Sequence, residues 1–206
     1  MHALMGCFLL LKFRAVVPCQ VGIQRVNLFC GKAGAQDVFA RGGRQIDGPQ
    51  IRARFHARER EYRYFIEPRK NPFTRDATWQ YYVPLDMERM NEAAASLLEY
   101  DDFTSFAKLN SNNKTNICRI MHAAWTADER GVLCFTIRAD RFLRNMVRSL
   151  VGTLVDVGRG RYTPDGFREI VGSRDLSRSS GGAPAQGLFL SDVVYPPGVF
   201  ERKTFY

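Results

Sequence analysis

The chain has 206 residues, 45% of them apolar and 25% charged, a balance that excludes disordered, collagen-like and disulfide-scaffold proteins. The 30 Lys and Arg residues, mostly Arg, outnumber 21 Asp and Glu, for a formal net charge of +9. That excess favours a polyanionic partner, because a guanidinium fork binds two phosphate oxygens at once; many basic proteins have no such partner.

Residues 1–50 follow no period of 2 or 3.6 and are broken by Gly31, Gly34, Gly42, Gly43 and Gly48, so they form an atypical, poorly patterned segment. The apolar run 3–11 is too short to span a membrane. Lys12 and Arg14 follow that run instead of preceding it, against the pattern of an export signal. The five cysteines (Cys7, Cys19, Cys30, Cys118 and Cys134) are odd in number and include no C-x-x-C pair. Neither a zinc site nor a disulfide framework is suggested, and a reduced cytoplasmic compartment is the simplest expectation.

Regular patterning begins at Ile51, and residues 51–206 read as one α+β domain. Residues 61–67 alternate, with Tyr62, Tyr64 and Ile66 on one face and Arg63, Phe65 and Glu67 on the other, which predicts a strand. Residues 86–99 predict a helix capped by Asp86, with a stripe of Met87, Met90, Ala94, Leu97 and Leu98. Residues 119–127 and 131–139 predict a hairpin turning at Asp128-Glu129-Arg130-Gly131. Residues 142–157 predict the strongest helix, with Arg144 and Arg148 projecting from one side and Gly158 and Gly160 ending it. Thr163 and Pro164 start a shorter helix, 173–186 reads as a polar, flexible loop, and 187–195 as a closing strand. The order β-α-β-β-α-α-β predicts a mostly antiparallel sheet with helices on one face.

Segment 51–75 carries Arg52, Arg54, Arg58, Arg60, Arg63, Arg69, Lys70 and Arg75, interleaved with Phe55, Tyr62, Tyr64, Phe65 and Phe73. Cations on phosphates and aromatics under splayed bases hold looped RNA; a sheet with a charged solvent face and an aromatic core face has the same composition. Asp101 and Asp102 before Phe103-Thr104-Ser105-Phe106 suit a helix cap better than catalysis. His2, His56 and His122 have no metal-ligand spacing, and no phosphate-cradling Gly loop occurs.

Four stretches together resemble the tRNA pseudouridine synthase A family. They are Ala53-Arg54-Phe55 followed by Arg60-x-Tyr62-Arg63-Tyr64-x-Ile66; Asp102-Phe103-Thr104-Ser105-Phe106; Phe142-Leu143-Arg144-Asn145-Met146-Val147-Arg148 with Val151-Gly152; and Ala183-Pro184-Ala185-x-Gly187-Leu188-x-Leu190 with Val194-Tyr195-Pro196. The resemblance implies isomerisation of uridine to pseudouridine in the anticodon stem-loop of tRNA, with no metal or organic cofactor. It implies a fold of two related α+β halves and a homodimer whose basic clefts hold tRNA. An Asp is the family's nucleophile, and the target base leaves the stack for an aromatic ring. On this sequence Tyr62 corresponds to the residue that contacts the uracil, with Arg63, Tyr64 and Arg54 beside it on the substrate. Arg148, or else Arg144, corresponds to the partner that holds the Asp ionised.

The family's Arg-Thr-Asp-Ala-Gly-Val-His motif, which carries the nucleophile, does not occur here. Asp37 and Asp47 are the upstream acids, and Gly43-Arg44-Gln45-Ile46-Asp47-Gly48 only faintly echoes the motif, too close to Phe55. The expectation is a C-terminal synthase domain behind an unrelated stretch, as a frameshift or wrong start would leave it, and therefore weak or no turnover. Two rival readings are an RNA-binding module without catalysis, and a structural fragment that needs a partner subunit.

Overall fold

The computed structural model describes residues 53–108 and 115–197. The expectations for residues 1–50, including the turn at Asp47, lie outside the described residues. A short helix α1, Ala53–His56, leads into strand β1, Glu59–Glu67. Tyr64 and Ile66 of β1 are fully buried on the helix-covered face, while Arg63 is exposed and Phe65 meets the ring of Phe189 at 5.7 Å on the other. The expected alternation thus holds, except that Glu67 is buried as well, where it accepts a hydrogen bond from the Thr74 hydroxyl.

Strand β1 is central. It pairs antiparallel with β4, Leu133–Ala139 (Tyr64 opposite Phe135), and with β5, Leu188–Val194 (Tyr64 opposite Leu188). Strand β3, Ile120–Ala127, pairs antiparallel with β4 as the expected hairpin. Its turn is fixed by Asp128, whose carboxylate accepts from the amides of Arg130 and Val132, and by Gly131 at φ 81°. The two-residue β2, Trp79–Gln80, pairs parallel with Ile66 and Glu67; so short a strand leaves no periodic signal in the sequence.

Helices α2 (Met87–Ser96), α3 (Met146–Gly158) and α4 (Pro164–Ser173) share one core with that face of the sheet. Asp86 caps α2 by accepting from the amides of Glu88 and Arg89, and Thr163 caps α4 through the Gly166 amide, as their sequence positions require. The last turn of the predicted 86–99 helix tightens to a 3-10 turn over Leu97–Glu99. Asp102 accepts from the amide and the hydroxyl of Thr104, a local bond at the entry to the 3-10 turn Thr104–Phe106, whose N-cap position is Phe103. Phe103, Phe106, Phe135, Phe167, Leu150 and Leu154 are fully buried. Each such side chain stabilises the fold by about 1.5–3 kcal/mol relative to exposure. Among the described residues no helix is long and apolar enough to cross a membrane.

Candidate functional site

Helix α3 begins at Met146, later than the sequence pattern suggests, because Asn145 takes the left-handed conformation at φ 67°. Its side-chain amide donates to the Ser149 hydroxyl at 3.1 Å, a local bond available to Asn in that conformation. Arg144 therefore precedes the helix and Arg148 lies in its first turn, so the two do not form the single-sided pair that four-residue spacing predicts. Arg144 is exposed, and its carbonyl accepts from the Lys108 amide.

Nearly every residue of α3 is buried, including the polar Ser149, Thr153 and Asp156. The apolar side chains belong to the core, and Thr153 and Asp156 are covered by the segment expected as a flexible loop. Residues 180–184 run along α3 as a strap. The Ser180 hydroxyl donates to the Asp156 carboxylate at 2.5 Å and its amide to the Thr153 hydroxyl at 3.2 Å. The Ala183 amide donates to the Arg148 carbonyl at 2.9 Å. Gly152 lets the strap lie against the helix, since a Cβ there would run into the carbonyl oxygen of Gly181. Polar composition suggested solvent exposure; these hydroxyls and amides instead bond to the helix.

Arg148 and Tyr64 meet at this strap. The Nε of Arg148 donates to the Ala183 carbonyl at 2.6 Å, and the Tyr64 hydroxyl donates to the next carbonyl, Pro184, at 2.7 Å. Burial pushes the Tyr64 phenol well above its ordinary range, with the nearby Arg148 charge pulling the other way, so the hydroxyl keeps its proton and remains a donor. Arg148 forms no ion pair among the described residues. Tyr62, two residues before Tyr64 and half-buried, sits edge-on to Phe142 with ring centroids 5.1 Å apart. Phe142 belongs to the same turn that delivers α3. Tyr64 and Arg148 therefore meet through the strap, while Tyr62 on the same strand packs on the turn that leads into α3.

Arg63 belongs to a different constellation, on the sheet face away from the helices. Its guanidinium lies 3.2 Å from the Glu61 carboxylate, which also accepts from Arg138 at 2.7 Å and from the Ser191 hydroxyl at 3.0 Å. Burial pushes the Glu61 carboxyl upward, but the bonds from Arg138 and Ser191 and the charges of Arg63 and Arg138 outweigh it and hold the group below its ordinary value. Arg54 falls in α1, directly before β1. Arg60, counted in the sequence among cations for RNA, donates to the carbonyls of Ala57 and Asp140 and ties the start of β1 to the turn ahead of Arg144. No spacing signal marks this tie, because these two acceptors are main-chain oxygens. Among the described residues no three His, Cys, Asp or Glu side chains gather as metal ligands.

The family model for tRNA pseudouridine synthase matches residues 93–196, which runs from the end of α2 through β5 and includes Arg148 and the strap. Over 158 residues the chain is 51% identical to the tRNA pseudouridine synthase A of Bacteroides thetaiotaomicron, covering 76% of this chain and 59% of the relative. It is 50% identical over 153 residues to the protein of that name from Bacteroides fragilis, covering 74% and 61%. With the Fervidobacterium nodosum protein of the same name it shares 38% over 149 residues, covering 71% and 61%. The chain thus spans about three fifths of the length of these relatives. With half of its length matched by the family model and these identities beside it, the chain belongs to the tRNA pseudouridine synthase family.

Proposed function

We propose that residues 51–206 are the C-terminal, uridine-handling domain of a tRNA pseudouridine synthase, acting on the anticodon stem-loop. The observation that carries this reading is Arg148, held by its Nε on a strap of the matched region, with Tyr64 of β1 bonded to the next strap carbonyl. Arg148 is the group that pairs with a catalytic carboxylate: Nε is occupied by Ala183, and the terminal nitrogens are the ones offered to an anion. Tyr62 receives the uracil, Arg63 and Arg54 contact the RNA backbone, and Tyr64 acts through the strap. Arg144, exposed just ahead of α3, is the lesser candidate for the carboxylate. The reaction breaks the ribose C1′–N1 bond, turns the base and forms C1′–C5; C5 gives up its hydrogen as a proton and N1 takes one up, so substrate and product are isomers. It is redox-neutral and calls for no cofactor. A homodimer in the cytoplasm completes the reading.

No Arg-Thr-Asp-Ala-Gly string occurs in the 206 residues, so this chain is expected to bind tRNA and to turn over weakly or not at all. That same observation favours the second reading, a non-catalytic RNA-binding module of the family. Tritium release from tRNA labelled at uridine C5, run beside a tRNA-binding assay, tests both. Binding without release fits a domain that lacks its nucleophile. Release that disappears in Asp47→Ala would give Asp47 the nucleophilic role. A chain that neither binds nor releases overturns both readings.

A further inference from the structure

A hollow of about 550 Å³ opens beside the strap, lined by Lys70, Pro72, Arg75, Trp79, Pro184 and Gln186 among others. Pro184 is the residue whose carbonyl holds Tyr64, so the hollow adjoins the site already described. Its outer wall is the loop between β1 and β2, and that loop is built rather than slack. Asn71 accepts from the Phe73 amide at 3.1 Å through its side chain and from the Gln80 side-chain amide at 2.9 Å through its carbonyl. Thr74 accepts from the Ala77 amide at 2.8 Å and from the Thr78 hydroxyl at 3.0 Å. This framework holds Phe73 95% exposed, and Tyr82, just past β2, is 59% exposed with its hydroxyl donating to Gln80. Lys70 is exposed and forms no ion pair among the described residues, and Arg75 reaches only the exposed Asp76, at 3.7 Å. A fixed turn that carries an exposed phenyl ring between Lys70 and Arg75 in sequence, with only a loose, solvent-exposed pair from Arg75 to Asp76, has the chemistry of a single-stranded nucleic-acid site: a face for a base and charges for a neighbouring phosphate.

We infer that the β1–β2 turn bordering this hollow is a second RNA subsite, taking one unstacked nucleotide with its base on the exposed Phe73 and its phosphate on Lys70 and Arg75, which line the hollow. The inference rests on the RNA-binding reading above and names where an adjoining nucleotide of the same looped strand lies. Charge favours RNA over a second copy of this chain: the face is basic on a molecule of net charge +9, and two such faces repel.

The test measures affinity of the full chain for a fluorescently labelled hairpin RNA at several salt concentrations, with sedimentation of the same samples. Phe73→Ala is expected to weaken binding about ten-fold with the salt slope unchanged, because stacking is largely independent of salt. In Lys70→Ala/Arg75→Ala the slope of log affinity against log salt is expected to flatten by about 0.7 per lost phosphate contact. All three side chains are exposed, so the variants should melt as the parent chain does. If the parent chain binds the hairpin and both variants bind it equally well, this subsite is overturned and the functional reading stands. If Phe73→Ala turns a dimer into a monomer without changing RNA affinity, the face is an interface between copies and the inference is wrong. If the parent chain fails to bind the hairpin, both are overturned.

Discussion

The hydroxyl of Tyr64 donates across 120 residues of sequence to the carbonyl of Pro184, at 2.7 Å. The neighbouring carbonyl, Ala183, receives the Nε of Arg148. Two carbonyls on consecutive residues therefore tie the central strand and the first turn of α3 to one short strap. The strap's orientation decides where the Arg148 guanidinium sits.

Tyr64→Phe keeps the buried ring and deletes only the donor. The Pro184 carbonyl then loses its partner, at a cost of about 1 kcal/mol. For a chain of this size the melting midpoint should fall by about 2–4 °C. Hydrogen exchange of the Ala183 amide, which bonds to the Arg148 carbonyl, should speed up more than exchange in β3, which lies away from the strap. Unchanged exchange at Ala183 would show that the strap holds without Tyr64.

Gly152→Ala probes the strap from the helix side. The added methyl meets the Gly181 carbonyl, which is backbone and cannot swing aside as a side chain can. Overpacking of this kind costs about 1–3 kcal/mol, and lifting the strap also breaks the bonds from Ser180 to Thr153 and Asp156. A urea midpoint clearly below that of Gly172→Ala is expected, since a Cβ at Gly172 meets nothing within 4 Å. Equal midpoints would contradict the strap's close approach.

Glu61 supplies a pH dependence with a definite sign. Its folded-state affinity for protons is lower than the ordinary value of 4.5, through Arg138, Ser191 and Arg63 acting against burial. The unfolded chain thus binds the proton at a higher pH than the folded one. The stability this carboxylate provides is full above about 4.5 and is lost as pH falls through the lowered folded value. Urea midpoints should drop with acid across that window. In Glu61→Gln the drop should be smaller, and stability near neutrality lower by about 1–3 kcal/mol, because Arg138 loses a charged partner. Parallel acid profiles for the two proteins would remove Glu61 from the account.

Cys118 is fully buried, and burial pushes its thiol up to about 11, so little thiolate exists near neutral pH. Alkylation mapped by peptide mass spectrometry should leave Cys118 unmodified in the native chain at about pH 8 and modify it in urea. Native labelling of Cys118 at the urea rate would mean that the core around Ile120 opens.

Much of this protein is determined by its sequence alone. Period-2 alternation at Tyr62, Tyr64 and Ile66 places β1, because each side chain must choose a face and only one face is buried. Asp86, Thr163 and Asp128 mark two helix starts and a hairpin, because a short polar side chain satisfies amides two or three residues away. Family membership was legible for the same reason: the residues around Arg148 and Ala183-Pro184 are contiguous strings. The tertiary structure decided what depends on distant partners. Asn145 turns left-handed and removes Arg144 from the helix that carries Arg148, which helical spacing cannot foresee. Residues 180–184 look solvent-bound by composition, yet their hydroxyls, amides and carbonyls bond to side chains and backbone more than twenty residues away in sequence. Arg63 and Tyr64 are neighbours along the chain but face opposite sides of the sheet, so one meets Glu61 and the other Pro184. Local patterns record which elements form, because those energies act within a few residues; the grouping of side chains into a site depends on packing between elements, which no local pattern encodes.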